Sequence, residues 1–141
     1  MNLTRAQLHQ ESAPAAGNGS IRLRGDFHTP PAFSAPPPIT VQVQDSGTLN
    51  QTHVFATCTT SGNGRVHCID SAGNSRFLAD FKPFRSTPSV YKFKVRFSHI
   101  VIDGPFQAPV KATITHNGGV VRMDTITDCK ATNSGLSCRR P

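Results

Sequence analysis

The chain has 141 residues and a mass of 15.2 kDa, the size of one domain with a substantial hydrophobic core. Only 16% of the residues are charged, whereas Gly and Pro each occur 11 times, which favours strands joined by turns over helices. The formal net charge of +7 attracts polyanions but does not by itself define a partner. No apolar run approaches the ~18 residues of a transmembrane helix, so we expect no membrane span.

The first 20 residues differ in composition from the rest of the chain. They are polar, rich in Ala, Gly and Asn, and show no clear hydrophobic periodicity. Such a composition is typical of a loose arm or linker. We therefore predict an N-terminal arm or linker over residues 1–20, either flexible or donated to a neighbouring copy, and a β-sandwich domain over residues 21–141.

Short strands separated by turns follow from residue 21 onward. Residues 29–38 contain five Pro residues, which predicts an extended connector rather than a strand. The tail, residues 128–140, predicts a last hairpin around a Gly turn. Alternating apolar and polar side chains predict the remaining strands at residues 21–27, 39–44, 53–60, 65–70, 77–81, 89–102, 110–115 and 120–127.

The longest alternation, at residues 89–98, predicts the central strand of the fold. Its apolar and polar sets are Tyr91, Phe93, Val95 and Phe97 against Lys92, Lys94, Arg96 and Ser98. A period of two places each set on its own face of a strand, whereas a helix would scatter both around its axis. We therefore expect the aromatic face to be buried and the basic face to be exposed to solvent.

These strands predict an all-β fold, a single antiparallel β-sandwich of about eight strands. From residue 21 to residue 139 the pattern resembles immunoglobulin-like domains, although the chain has no Trp and no widely spaced Cys pair. The Cys-flanked hairpins and the Tyr-x-Phe-x-Val-x-Phe strand are similar to those of uncharacterised exported bacterial β-sandwich domains. This resemblance implies an architecture and export from the cell, and it implies nothing catalytic.

The four cysteines flank two turns rich in Gly and Asn. Folding either segment as a hairpin brings its own cysteines face to face, so of the three possible pairings we favour Cys58–Cys68 with Cys129–Cys138. The alternative is a zinc site formed by all four thiolates, but such sites usually space paired cysteines about two to four residues apart. Disulfides would indicate an oxidising compartment, and we expect an extracellular or cell-surface location.

Basic side chains suggest a binding surface. Successive cations on the exposed face of the central strand lie about 7 Å apart, and cations from neighbouring strands would extend them into a patch. The alternative is a solvated outer face on which Lys and Arg discourage aggregation. Nucleic acid is a poor fit, because the chain has no Trp and one Tyr to interleave with the cations. The predicted basic residues are Arg22, Arg24, Lys92, Lys94, Arg96 and Lys111.

No nucleophile elbow, phosphate loop or metal-ligating His pattern occurs in the sequence. We therefore expect no catalytic residue, no cofactor and no metal, and predict a non-catalytic extracellular structural or adhesive module. In its most specific form this is a filament or surface-assembly subunit that contacts its own copies, or another surface protein, through the N-terminal arm. The alternative function is binding of acidic polysaccharide, or another polyanion, through the basic strand face. A small hydrolase would need a pocket that gathers His and Asp from separate strands.

Overall fold

A computed structural model describes residues 1–10, 17–29, 38–116 and 118–141. The predicted proline-rich connector falls largely in residues 30–37, outside the described residues. Since the described residues contain no helix, they contain none that could cross a membrane. The strands are β1 (Asn2–Gln10), β2 (Gly19–His28), β3 (Ile39–Gln44), β4 (Asn50–Phe55), β5 (Cys58–Thr60), β6 (Val66–Ala72), β7 (Ser75–Pro83), β8 (Val90–Ile100), β9 (Val110–His116), β10 (Val120–Ile126), β11 (Cys129–Thr132) and β12 (Gly135–Arg139).

The strands form two antiparallel sheets, which confirms the all-β class. The large sheet has the order β11-β12-β1-β2-β8-β7-β6-β5, and the small sheet has the order β10-β9-β3-β4. The described residues contain 12 strands rather than about eight. The difference arises because residues 2–10 form a strand, because residues 53–60 divide between β4 and β5, and because the tail hairpin adds β11 and β12.

The prediction of a loose arm was wrong for residues 2–10, which form a strand. β1 lies inside the large sheet of its own chain, paired with β2 on one side and β12 on the other. Leu3, Ala6 and Leu8 are buried in the core. The register shifts between Leu3 and Arg5, so the buried positions are three residues apart and then two, and this bulge hides the period-two pattern in the sequence.

The core lies between the facing sides of the two sheets. β8 pairs with β2 and β7 near the middle of the large sheet, and its aromatic face is buried as the alternation predicts. Phe97 contacts Phe77 edge to face with ring centroids 5.2 Å apart, and Phe93 lies beside Phe27 at 6.1 Å. Burial of this face directs every second residue of β8 outward, which positions the basic side chains.

Both predicted disulfides are present, and they lie at opposite edges of the large sheet. Cys58 pairs with Cys68 across β5 and β6, and Cys129 pairs with Cys138 across β11 and β12. No free cysteine is left, so the zinc alternative has no thiolate to use. Each disulfide joins an edge strand of the large sheet to its inner neighbour.

Candidate anion-binding face

The predicted basic residues of β2 and β8 lie together on the outer face of the large sheet. Inward burial of Ile21 and Leu23 directs Arg22 and Arg24 outward, and the aromatic face of β8 directs its own cations the same way. In the register, Arg22 is opposite Arg96 and Arg24 is opposite Lys94. The two strands therefore place four cations in two directly opposed pairs.

Lys111 does not belong to this face. It lies on β9 of the small sheet, where its register partners are Gln44 and Thr125. The alternation of residues 110–115 correctly placed its side chain on the outward face of a strand. The alternation carried no information about which sheet the strand joins. Because β9 belongs to the small sheet, Lys111 faces away from the other predicted cations.

Two arginines that the sequence did not single out join the face from neighbouring strands. Arg5 of β1 is opposite Arg24 of β2 and also opposite Arg139 of β12. Arg5 was missed because the bulge in β1 hides its strand. Arg139 comes directly after buried Cys138, so alternation along the tail hairpin directs its side chain outward. That alternation does not show which strand lies beside it.

We define the basic face as six of the outward cations of these four adjacent strands. Four of them are successive partners in the register and form what we call the cationic row: Arg139, Arg5, Arg24 and Lys94. With neighbouring strands about 4.8 Å apart, the row is about 14 Å long. The other two members, Arg22 and Arg96, form a second pair about 7 Å away along the strands.

A depression of about 260 Å³ lies within the basic face, and Arg5, Arg22, Arg24, Lys94 and Arg96 contribute to its lining. The Arg5 Nε atom is buried and has no hydrogen-bond partner among the described residues. A buried donor without a partner costs roughly 1–3 kcal/mol, and more when the group is charged. An anionic oxygen in the depression could accept this hydrogen bond.

The nearest carboxylate on the β7 side does not neutralise the basic face. Asp80 is the register partner of Lys94, but its Oδ1 accepts from Arg65 Nε at 2.7 Å and lies 3.3 Å from His67 Nδ1. Burial raises the pKa of Asp80, but the hydrogen bonds and charges of Arg65 and His67 together lower it by more. The pKa of Asp80 therefore lies below the usual value. Among the described residues, no member of the basic face forms an ion pair with an acid.

Lys92 lies at the margin of the basic face rather than within it. Its register partners are Asp26 on β2 and Lys82 on β7. Its Nζ atom lies 4.5 Å from the centroid of the Phe84 ring, a cation–π contact that draws the ammonium group toward the β7 side. The acid opposite it lowers the positive potential at this end of β2 and β8.

A His–Asp pair from separate strands does exist, as a hydrolase would require. His53 Nε2 of β4 lies 3.0 Å from Asp70 Oδ2 of β6, and the His53 ring stacks on Phe77 at a centroid distance of 3.7 Å. This pair connects the small sheet to the large sheet. In the described residues no hydroxyl group hydrogen-bonds to His53, and no group of three or more His, Cys, Asp or Glu side chains is arranged to hold a metal ion.

Comparison of the chain with protein-family models, curated proteins and solved structures gives no significant match. The immunoglobulin-like character expected from the sequence therefore stays a prediction. A functional assignment has to rest on the chemistry of the basic face itself.

Proposed function

We propose that this protein is a non-catalytic adhesive module of an oxidising, extracellular compartment, and that it binds acidic polysaccharide through the basic face. The observation that carries this proposal is the direct opposition of like charges across three strand pairs. Like charges placed directly opposite each other destabilise a sheet. An anionic ligand would relieve this repulsion, so the arrangement favours binding over a purely structural role.

The position of the cations argues against the alternative that they only discourage aggregation. Cations that protect a sheet belong on its edge strands, where backbone groups are unpaired. The edges of the large sheet are β11 and β5, whereas β1, β2 and β8 are internal strands with partners on both sides. Cations on these strands protect no edge.

The side-chain chemistry favours an acidic glycan over nucleic acid. Five of the six members of the basic face are Arg, whose planar guanidinium forms paired hydrogen bonds with carboxylate and with other planar or tetrahedral oxyanions. Binding of single-stranded nucleic acid usually combines cations with aromatic side chains on which the bases stack. The outward positions of β12, β1, β2 and β8 carry no Phe, Tyr or Trp.

The two disulfides support the compartment, because disulfides persist in oxidising environments such as the cell exterior. The filament form of this function depended on residues 1–20 for contacts between subunits. β1 already has a partner strand on each side within its own chain, and a donated β1 would first have to leave both. We therefore assign adhesion to the basic face, and self-association stays a prediction.

The proposal is tested by affinity for a sulfated polysaccharide such as heparin, measured by titration calorimetry at several salt concentrations. Charge reversal in Arg24→Glu should lower the affinity by at least about tenfold. It removes one cation of the basic face and places a negative charge beside three of the remaining cations. Lys111→Glu is the matched control, because it makes the same change in net charge on the other sheet.

Circular dichroism establishes that both variants are folded. Strong loss of affinity in Arg24→Glu with little change in Lys111→Glu supports the basic face as the binding site. Equal loss in both variants would show that only net charge matters, and absence of binding by the unaltered protein would reject the function.

A further inference from the structure

We infer that the acidic polysaccharide lies across the strands along the cationic row, with Arg5 as its central contact and Arg139 as its outer contact. This inference rests on the proposed function of the basic face and specifies how the ligand binds there. It assigns recognition roles to two arginines, and it identifies the ligand as a linear polymer rather than a single anionic group.

The arrangement of the cations defines the direction in which the polymer crosses the sheet. Four consecutive strands, β12, β1, β2 and β8, each contribute one cation to the row. Along the strands the run of paired cations is shorter than the row. Ser20 and Ser98 follow it on one side, and Asp26 lies opposite Lys92 on the other. A linear polyanion that crosses the strands therefore meets one unpaired cation on each of four neighbouring strands.

The two ends of the row differ, and this difference gives the path an open side. On β7 the next residue in the register is Asp80, which is paired with Arg65 and adds no cation to the row. At the other end, Arg139 is exposed, and only β11 lies beyond it at the edge of the sheet. The cationic row therefore ends at β7, whereas at its other end a polymer can extend past the β11 edge.

Arg139 and its neighbour Arg140 have different environments. The Arg140 side chain donates to Asn2 Oδ1 and to the Thr125 carbonyl oxygen and pairs with Asp124 at 3.1 Å. Arg139 is outside all ion pairs of the described residues. Of the two adjacent arginines, Arg140 stabilises the fold and Arg139 is available to a ligand.

The position of Arg5 depends on the bulge in β1. Leu3 is opposite Gly25 and Arg5 is opposite Arg24, so Thr4 is the extra residue. If Thr4 were paired regularly instead, Arg5 would point to the same side as Leu3, into the core, because strand side chains alternate. A bulge that re-aims a side chain is typical of functional positions in sheets, and here it places a partly buried guanidinium in the middle of the row.

The test compares size-defined heparin fragments, a disaccharide and an octasaccharide, by titration calorimetry. The affinity of the unaltered protein should rise by about tenfold or more with length, since each further contact in one chain adds affinity. Arg139→Ser should weaken octasaccharide binding by about threefold to tenfold and leave disaccharide binding unchanged, because the short fragment occupies the depression. Arg5→Lys, which keeps the charge but removes the buried Nε–H, should weaken both fragments.

Lys111→Ser is the control for loss of one positive charge. Affinity that does not depend on fragment length, or an Arg139→Ser variant that matches Lys111→Ser on the octasaccharide, would overturn the inference. If Arg24→Glu still lowered the affinity by at least about tenfold in that case, the proposed function would stand. Equal affinity for single-stranded DNA of the same charge would overturn the assignment to a glycan.

Discussion

Arg22 on β2 and Arg96 on β8 are direct partners in the antiparallel register, and the next outward pair along the same strands is Arg24 with Lys94. Opposed side chains have Cβ atoms about 4.5–5.5 Å apart, so both pairs bring like charges close together in the middle of a sheet. Tertiary packing maintains this arrangement against the repulsion. The stability of the protein should therefore respond to salt and to anions in a manner specific to these positions.

Replacing Arg96 with Thr should increase the free energy of unfolding at low ionic strength. The gain is expected to be about 0.2–1 kcal/mol, since it removes a like-charge pair and introduces a residue that favours strands. Added salt should reduce the difference by screening the exposed charges. Urea denaturation at low and high sodium chloride measures both effects.

Lys111→Thr is the control for that measurement, because Lys111 is opposite the uncharged residues Gln44 and Thr125. It should show a smaller salt-dependent gain than Arg96→Thr. An Arg96→Thr variant that is less stable than the unaltered protein at low salt would contradict the interpretation that the opposed pair is destabilising.

Gly25 should tolerate no side chain. It lies opposite Phe93 and Leu3, and a Cβ atom there would overlap the Asn2 carbonyl oxygen and the Phe93 ring. Gly25→Ala is expected to destabilise the protein by roughly 1–3 kcal/mol, the usual cost of overfilling a packed site. Thermal unfolding measures the loss. Gly62→Ala is the matched control, because its Cβ would meet nothing within 4 Å, and equal melting temperatures for the two variants would count against the packing described.

Asp124 should contribute to stability in a pH-dependent manner. Its Oδ2 accepts from the Leu3 amide at 2.7 Å and pairs with Arg140, which links β10 to β1 and to the C-terminal end. Burial raises the pKa of Asp124, but hydrogen bonds from the Leu3 and Thr125 amides and from Arg140 lower it more, so its pKa lies below the usual value. A lowered folded-state pKa stabilises the protein above the unfolded pKa of about 3.9, and the contribution is lost as pH falls through the folded-state value.

Asp124→Asn should therefore lower the free energy of unfolding at pH 7 and make it decrease less steeply below about pH 4. Urea denaturation between neutral and acidic pH provides the measurement. Asp128→Asn serves as the control, because the Asp128 side chain is exposed and forms no hydrogen bond in the described structure. Parallel pH profiles for Asp124→Asn and the unaltered protein would be inconsistent with this account.

Removing either disulfide should cost a similar amount of stability but have different effects on ligand binding. The paired cysteines are 10 and 9 residues apart, and loops of this length predict a loss of roughly 2–3 kcal/mol each in the chain-entropy model. Arg139 follows Cys138 directly, whereas Cys58 and Cys68 lie at the far end of the sheet. The double variant Cys129→Ala/Cys138→Ala should therefore weaken octasaccharide binding, and Cys58→Ala/Cys68→Ala should not. Equal affinities in the two variants would argue against a role for Arg139.

Deleting residues 1–10 should prevent folding of the monomer. β1 contributes buried Leu3, Ala6 and Leu8 and pairs with β2 and β12, so its loss removes core side chains and separates the β11–β12 hairpin from the sheet. Circular dichroism and thermal unfolding of the truncated chain report the outcome. A cooperative, native-like transition in that chain would show that β1 is dispensable.

Local patterns were enough to predict much of this architecture. Alternation along β2, β3, β8 and β9 identifies the strands and the side that each residue faces, because a strand has a period of two whatever its partner is. The disulfides could also be predicted, since each cysteine pair flanks one turn and a hairpin brings its two ends together. The sequence alone thus determined the all-β class, the buried aromatic face of β8 and the outward direction of its cations.

Only the tertiary structure decided which strands are neighbours. Lys111 and Lys94 both alternate with apolar residues, yet they lie on different sheets, because pairing between distant strands depends on packing over the whole core. The bulge at Thr4 concealed β1, and with it the place of Arg5 between Arg24 and Arg139. The cationic row joins residues from both ends of the chain, and such a juxtaposition exists only after the sheet has assembled.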